Sequence, residues 1–406
     1  MQLLIPVAAG MEGCVQRQLK YLGYKTSPSE NGRIAVDGTM RDVAKLNVSL
    51  RCGERVLIRL KSFIAKTFDE LYEGVYSIEW ERYLSRSSRI VMDGKSTLSA
   101  LGAIKAVGGV AKKAIIRRLA DRLPSGRGKG ALTFPETGSR TIVGIAIHKD
   151  EVTVSIDTSG DGLHKRGYRT LPYDAPLKET LAAGIIDLSF YHGDMQKPFA
   201  DPFCGSGTLP IEAALSMRNI APGKAREFDF TQWERCGEYD EADAATALRL
   251  AKEEALDNER RGGRLHIRAS DISPRAISVA KYHAEKAGVG EDIAFSVADA
   301  KKFCADERYG VLACNPPYGE RLSSPSEVAK LYGEFGKAFF ALPDWSGYIL
   351  TSFPEFERVV RRRADGVKRL SNANIPCSLY SYYGKKPQRA QGEDANGQEK
   401  ENGFKK

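Results

Sequence analysis

Apolar and polar positions change period along this chain in a way that lays out consecutive modules. The opening Met1-Gln2-Leu3-Leu4-Ile5-Pro6-Val7 reads as a strand, and Met11 to Leu22 has helical spacing that stops at Gly23. A strand over Gly32 to Val36, a helix over Met40 to Leu50 and a strand over Val56 to Leu60 complete a small α/β unit at 1–60. Residues 61–157 form a second α/β stretch, ending in a predicted hairpin: Thr141 to Ile147, a turn at Lys149-Asp150, then Val152 to Ile156. Over 158–385 strands alternate with helices, the pattern of a doubly wound parallel sheet, and 240–262 is predicted as one long helix. Residues 386–406 are polar and nearly free of apolar side chains, so a disordered tail is expected.

Composition narrows the class. The 406 residues can hold two or three cores. No run of about 18 apolar residues occurs, so no membrane span is expected, and the N-terminus lacks the basic region of a signal peptide. Seven cysteines without a Cys-x-x-Cys pair, and five scattered histidines, argue against a disulfide framework and a metal site. A reducing cytoplasm fits this usage.

Charge is uneven. The net charge is +9, yet residues 1–170 hold 28 Lys+Arg against 17 Asp+Glu, or +11, while 171–406 hold 33 against 35, or −2. A nucleic-acid-gripping module joined to a catalytic one would produce this asymmetry, and so would a solvated basic surface. Within the basic part, 110–123 is a predicted amphipathic helix. Ile115, Ile116, Leu119 and Leu123 form its apolar stripe, and Lys113/Arg117 and Arg118/Arg122 pair like charges four residues apart. Phosphates would relieve that repulsion. The loop Gly126-Arg127-Gly128-Lys129-Gly130 adds two more cations.

The chemistry concentrates after residue 196. Lys197 to Phe203 is a predicted strand that enters Gly205-Ser206-Gly207 and then a helix over Thr208 to Ser216, so backbone can approach a ligand closely. A dinucleotide-binding loop is the rival reading. Against it stand Pro210 at the third glycine position, Asp201 before the glycines, and a next strand-end acid, Asp271, 70 residues on. Asp201 suits a methionine amine, Asp271 a ribose and Asp299 an adenine amino group, which points to S-adenosylmethionine. Either of the later two could instead cap a helix. Downstream, the buried strand Val311 to Cys314 delivers Asn315-Pro316-Pro317-Tyr318. An exocyclic amine on a base is a poor nucleophile. The Asn315 side-chain oxygen and the Pro316 carbonyl can each accept one N–H and aim its lone pair, while Tyr318 offers a stacking face. A purely structural Pro-Pro turn is the alternative.

Several stretches resemble the THUMP-domain guanine-N2 RNA methyltransferases, in the branch acting on large-subunit ribosomal RNA. They are Asn47 to Val56, Asp157-Thr158-Ser159-Gly160, Leu163 to Arg169, 176–182, Asp201 to Ala213, Ala221-Pro222-Gly223 and 315–322. The resemblance implies a ferredoxin-like unit, a THUMP RNA-binding domain and a class I (Rossmann-like) methyltransferase domain. It implies that Asp201, Phe203, Gly205, Gly207, Asp271 and Asp299 bind S-adenosylmethionine and that Asn315, Pro316 and Tyr318 take the base. The expected partner is large-subunit ribosomal RNA or a precursor particle, gripped by Lys113, Arg117, Arg118, Arg122, Arg127, Lys129, Lys165 and Arg166. Transfer RNA as substrate, a noncatalytic assembly factor and a DNA amino-methyltransferase are the competing readings. Some relatives carry a second methyltransferase domain, for which this chain has no room.

Overall fold

The computed structural model describes residues 1–29, 32–123, 134–172, 177–318, 324–373 and 375–385. The tail at 386–406 and the two loop cations Arg127 and Lys129 lie outside the described residues. In the first part of the chain come β1 (Gln2–Pro6), α1 (Glu12–Tyr21), β2 (Arg33–Asp37), α2 (Met40–Ser49) and β3 (Leu57–Ile64). They are followed by α3 (Phe68–Tyr76), β4 (Arg89–Thr97), α4 (Ile104–Arg122), β5 (Arg140–His148) and β6 (Glu151–Asp157). The strands form one six-stranded sheet of order β2-β1-β3-β6-β5-β4.

That sheet is continuous across the two α/β stretches. The strand expected to end at Leu60 runs to Ile64, because a register shift between Arg59 and Lys61 lets it keep pairing with β6. Alternate residues on one face, among them Leu3, Ile5, Ile34, Val36, Ile58, Val143, Ile145, Val154 and Ile156, are buried. The β5–β6 hairpin turns at Lys149 and Asp150, whose φ values of 50° and 65° match the twist of the flanking strands. Helix α4 starts at Ile104, before the expected 110, and buries Val107, Ala111, Ala114, Ile115 and Leu119. Ile116 and Leu123 lie beside that stripe and are only half-buried.

The second part is a doubly wound class I fold. Its elements are α5 (Glu179–Leu188), β7 (Phe199–Asp201), α6 (Thr208–Met217), the ribbon β8 (Arg235–Cys236) and β9 (Tyr239–Asp240), and α7 (Glu241–Asp257). After them come β10 (Ile267–Asp271), α8 (Pro274–Lys286), β11 (Ile293–Val297), β12 (Val311–Cys314) and α9 (Pro325–Phe340). The chain then adds β13 (Ser346–Thr351), α10 (Phe356–Val360), β14 (Gly366–Asn372) and β15 (Ile375–Tyr382). The sheet order is β11-β10-β7-β12-β13-β15-β14, parallel except where β15 pairs antiparallel with its neighbours. Strand order reverses between β7 and β12, so the crevice at their carboxyl ends is the place for a ligand. Helix α7 stops at Asp257, short of the expected 262, and the chain turns through Gly262 and Gly263 at positive φ. No helix among the described residues is long and apolar enough to cross a membrane.

The segment after β6 fastens the two parts together. Arg166, expected on the RNA-facing surface, is 5% exposed. It donates to the carbonyls of Leu163 at 2.7 Å, Leu50 at 3.4 Å and Arg51, and its Nε lies 3.4 Å from Glu212 Oε1 on α6. Tyr168 donates its phenolic hydrogen to the same oxygen at 3.1 Å. Asn47 on α2 donates to Thr158 Oγ1 at 2.8 Å and accepts from Ser159 Oγ at 2.6 Å. Arg226 donates to the carbonyls of Asp161 and Gly162 at 2.7 and 3.1 Å. Arg140 grips Asp229 with two bonds of 2.8 and 3.0 Å. The backbone at Gly223 presses on α2 so closely that a Cβ there would meet the Asn47 carbonyl at 2.5 Å. Removing one member of a buried ion pair strands the other's charge, which costs about 3–5 kcal/mol. Arg166→Ala and Glu212→Ala should each destabilise the protein by about that much, and the double variant by clearly less than the sum. Thermal unfolding of the four proteins in the cycle checks this, and strictly additive losses below about 1 kcal/mol would contradict it.

Candidate active site

Strand β7 ends at Asp201, two residues before the expected Phe203, and the chain rises into Gly205 and Gly207 at φ 51° and 87°. Gly207 starts α6, and a Cβ on it would meet Ala280 of α8 at 3.0 Å, so glycine is required both by conformation and by packing. Asp201 is 2% exposed and accepts from the Phe203 N–H at 3.0 Å. Burial holds its carboxyl well above the usual carboxylate range, and nearby Asp271 adds to the shift. The Phe203 ring meets Phe335 of α9 edge-on at 5.0 Å. Its ring therefore braces the loop against α9, and the residue is half-buried.

Asp271 ends β10. Its Oδ2 accepts from the Gly205 N–H at 3.0 Å and its Oδ1 from the Ser273 N–H at 2.9 Å, so one carboxylate ties the glycine loop to the second strand. The following residue, Ile272, is 70% exposed, an apolar side chain beside a polar strand end that sequence reasoning missed. Asp299 caps the short turn Ala300–Lys302, accepting from the Lys301 N–H at 3.0 Å, and Lys301 Nζ lies 3.2 Å away. The backbone bond from Lys301 holds this carboxyl below the usual range. The capping alternative thus describes its local bonds, while Asp299 also lines, with Asp201, Ser270 and Phe303, a cavity of about 350 Å³.

The tetrapeptide follows β12. Asn315 Oδ1 is buried and makes no hydrogen bond among the described residues. The Pro317 carbonyl accepts from Tyr332 Oη at 3.0 Å, and that hydroxyl also meets Thr351 Oγ1 at 2.9 Å. Tyr318 is half-buried, and its hydroxyl accepts from Asn372 Nδ2 at 3.2 Å. Pro316, just before these anchors, is buried. The loop is pinned on both sides, leaving the Asn315 oxygen as an acceptor with nothing to accept.

A sequence profile described as the RMKL-like methyltransferase domain matches residues 166–381, more than half of the chain. The chain belongs to the RMKL-like methyltransferase family. Ahead of that domain, residues 2–57 match the RlmL ferredoxin-like domain and 65–157 the THUMP domain. YpsC of Bacillus subtilis (strain 168), named provisionally as an RNA methyltransferase, is 39% identical over 97% of this chain and 99% of YpsC. The ribosomal RNA large subunit methyltransferase K/L of Psychromonas ingrahamii is 34% identical over 93% of this chain and 49% of that protein. The chain spans about half the length of the K/L relatives it matches. Among solved structures, SMU.472, provisionally a methyltransferase and complexed with SAH, aligns with TM-score 0.85 and 36% identity over 95% of this chain and 99% of that one. A Listeria monocytogenes str. 4b F2365 protein, described from prediction as an N6-adenine-specific DNA methylase, aligns with TM-score 0.85 and 40% identity over 95% and 96%.

The cofactor of this RMKL-like methyltransferase is S-adenosylmethionine, and the residues present fit it: Asp201 and Asp299 line one cavity, and buried Asp201 suits a cationic amine. A cationic amine set against Asp201 requires the carboxylate form. Because burial raises that pKa in the free enzyme, cofactor binding should release a proton, and affinity should strengthen as pH rises from the ordinary carboxylate range toward neutrality. Asp201→Asn should flatten the dependence. Calorimetry in buffers of different ionisation enthalpy measures both, and a pH-independent wild-type affinity with no proton release would contradict the amine contact.

The expected RNA cations separate into two groups. Lys113, Arg117 and Arg122 are exposed on α4, with Arg117 3.0 Å from Asp121. Lys165 is exposed and 3.4 Å from Asp161. Arg118 is a correction: its side chain is 11% exposed and holds Glu81 with bonds of 2.6 and 3.0 Å, joining α4 to the turn at 80–82. Arg166 is the second correction, buried in the clasp. Neutralising Lys113, Arg117 and Arg122 should weaken RNA binding and lower the salt slope by about 0.7–0.9 per phosphate contact, with cofactor affinity unchanged. RNA titrations at several salt concentrations test this, and an unchanged slope would make the helix a solvated face.

Proposed function

We propose that this methyltransferase transfers a methyl group from S-adenosylmethionine to the N2 amino group of a guanine in RNA, and that the RNA is large-subunit ribosomal RNA. One observation carries the amine chemistry: the buried Asn315 Oδ1, unpartnered among the described residues, at the head of a pinned loop. Leaving a buried acceptor unsatisfied is costly, so the site is built for a donor that arrives with the substrate. The cofactor supplies a methyl group carried on a sulfonium. Asp201, the Gly205-to-Gly207 backbone, Asp271 and Asp299 would hold it, with Ile272 against the adenine.

Asn315 Oδ1 and the Pro316 carbonyl each hold one hydrogen of the amine, which draws the nitrogen toward tetrahedral geometry and aims its lone pair at the methyl carbon. Neither oxygen is basic enough to keep a proton, so the one displaced by the new N–C bond leaves to solvent. The base must leave its helix to reach this loop. The THUMP match, the exposed cations of α4 and the names of the K/L relatives support ribosomal RNA. The Listeria neighbour's description favours a second reading, adenine N6 in DNA, since the same acceptors would serve that amine. A THUMP domain on this chain argues for RNA.

Mapping methylated guanines in total RNA from a deletion strain tests the substrate. One N2-methylguanine should vanish from large-subunit ribosomal RNA; loss from transfer RNA alone, or no loss, would contradict the proposal. In purified protein, Asn315→Ala should cut single-turnover methylation by roughly a hundredfold or more and leave cofactor affinity near wild type. A near-wild-type rate would remove Asn315 from the mechanism.

A further inference from the structure

Among the described residues, two side-chain amide oxygens are buried without any hydrogen-bond partner: Oδ1 of Asn315 and Oδ1 of Asn372. They belong to different elements, 57 positions apart in sequence, yet Tyr318 connects them. Tyr318 closes the tetrapeptide that Asn315 opens, and its hydroxyl accepts from Asn372 Nδ2 at 3.2 Å. Cys377 Sγ approaches the same hydroxyl at 3.9 Å. Asn372 ends β14, pairs across the hairpin with Ile375 and is 6% exposed. Its amide nitrogen is thus committed to the loop, and its oxygen is the free end.

We propose that Asn372 is a specificity-determining residue, whose Oδ1 accepts the ring N1–H of the target guanine while Asn315 Oδ1 accepts from the adjacent N2 amino group. This rests on the amine-methylating reading given under Proposed function. On a guanine the atoms next to the reacting amine present a second donor, N1–H. On adenine the ring nitrogen beside N6 is an acceptor, and on cytosine the one beside N4 is too. Two acceptors in this site complement guanine and oppose an acceptor oxygen to the ring nitrogen of either other base. A buried polar site rejects a ligand lacking its partner far more strongly than an apolar pocket rejects a misfit, because the unmatched group stays desolvated and unpaired.

The test uses full-length protein and RNA fragments carrying either guanine or 2-aminopurine at the position mapped in the deletion strain. 2-Aminopurine keeps the 2-amino group and lacks N1–H. Wild type should favour guanine in kcat/KM by about a hundredfold or more. Asn372→Leu also removes the Tyr318 anchor, so both rates should fall, but the rate on guanine far more than that on 2-aminopurine, and the ratio collapses toward one. Asn372→Asp keeps an acceptor and should retain the preference. Cofactor affinity and melting temperature identify a variant that has merely unfolded; if the leucine variant does, the wild-type ratio and the aspartate variant decide. Equal wild-type rates on the two bases, or an unchanged ratio in a folded Asn372→Leu protein, would overturn the role of Asn372 while leaving guanine methylation standing. N6-methyladenine as the product on natural RNA would overturn the guanine reading itself, and this inference with it.

Discussion

The buried contact between Arg166 and Glu212 is the constraint on which the rest of the molecule depends. Glu212 lies on α6, the helix that grows out of the glycine loop. Arg166 reaches from it to the carbonyls of Leu50 and Arg51, at the end of the ferredoxin-like unit. One guanidinium therefore spans the first module and the helix that carries the cofactor loop. Among the described residues Glu212 Oε2 has no hydrogen-bond partner, so the bonds of Arg166 and Tyr168 to Oε1 are what hold this buried carboxylate. With Asn47, Arg226 and Arg140 bound around it, the RNA-binding half is fastened to the catalytic half. A base presented by one can then be received by the other at a set distance.

The same logic recurs at smaller scale in the catalytic loop. Tyr332 fixes the Pro317 carbonyl from α9, and Asn372 fixes the Tyr318 hydroxyl from the β14–β15 hairpin. Proline at two successive positions removes backbone freedom between Asn315 and those anchors. What remains unsatisfied here among the described residues is the pair of amide oxygens, and positioning is worth most where the reacting groups are already held. The glycine loop is secured in the same way, by the Asp271 carboxylate bonding the Gly205 N–H across two strands.

Features written in consecutive residues are legible in the chain itself. The order of glycine loop, strand-end acids and Asn-Pro-Pro-Tyr reads directly because each sits at a strand's carboxyl end, where β7, β10 and β12 do place Asp201, Asp271 and Asn315. The hairpin around Lys149 is legible for the same local reason. Cations are the weak point. Arg166 stands in the basic run Lys165-Arg166, where nothing local distinguishes a surface arginine from one that buries itself against a carboxylate 46 residues on. Arg118 resembles the other α4 cations in sequence, yet Glu81, from a separate turn, claims it. Phe203 is singled out by its place near the glycines, whereas its packing on Phe335 of α9 is visible only in the fold. Asn372 carries no signal in sequence, since only the fold brings it to Tyr318.

The account turns on which amine meets Asn315. Purified protein incubated with methyl-labelled S-adenosylmethionine and large-subunit ribosomal RNA from cells lacking the enzyme, followed by digestion and mass spectrometry of the nucleosides, measures that directly. The account predicts label in N2-methylguanosine alone, at no more than one methyl group per RNA molecule. Label in N6-methyladenosine, or methylation on carbon or a ring nitrogen, would contradict it.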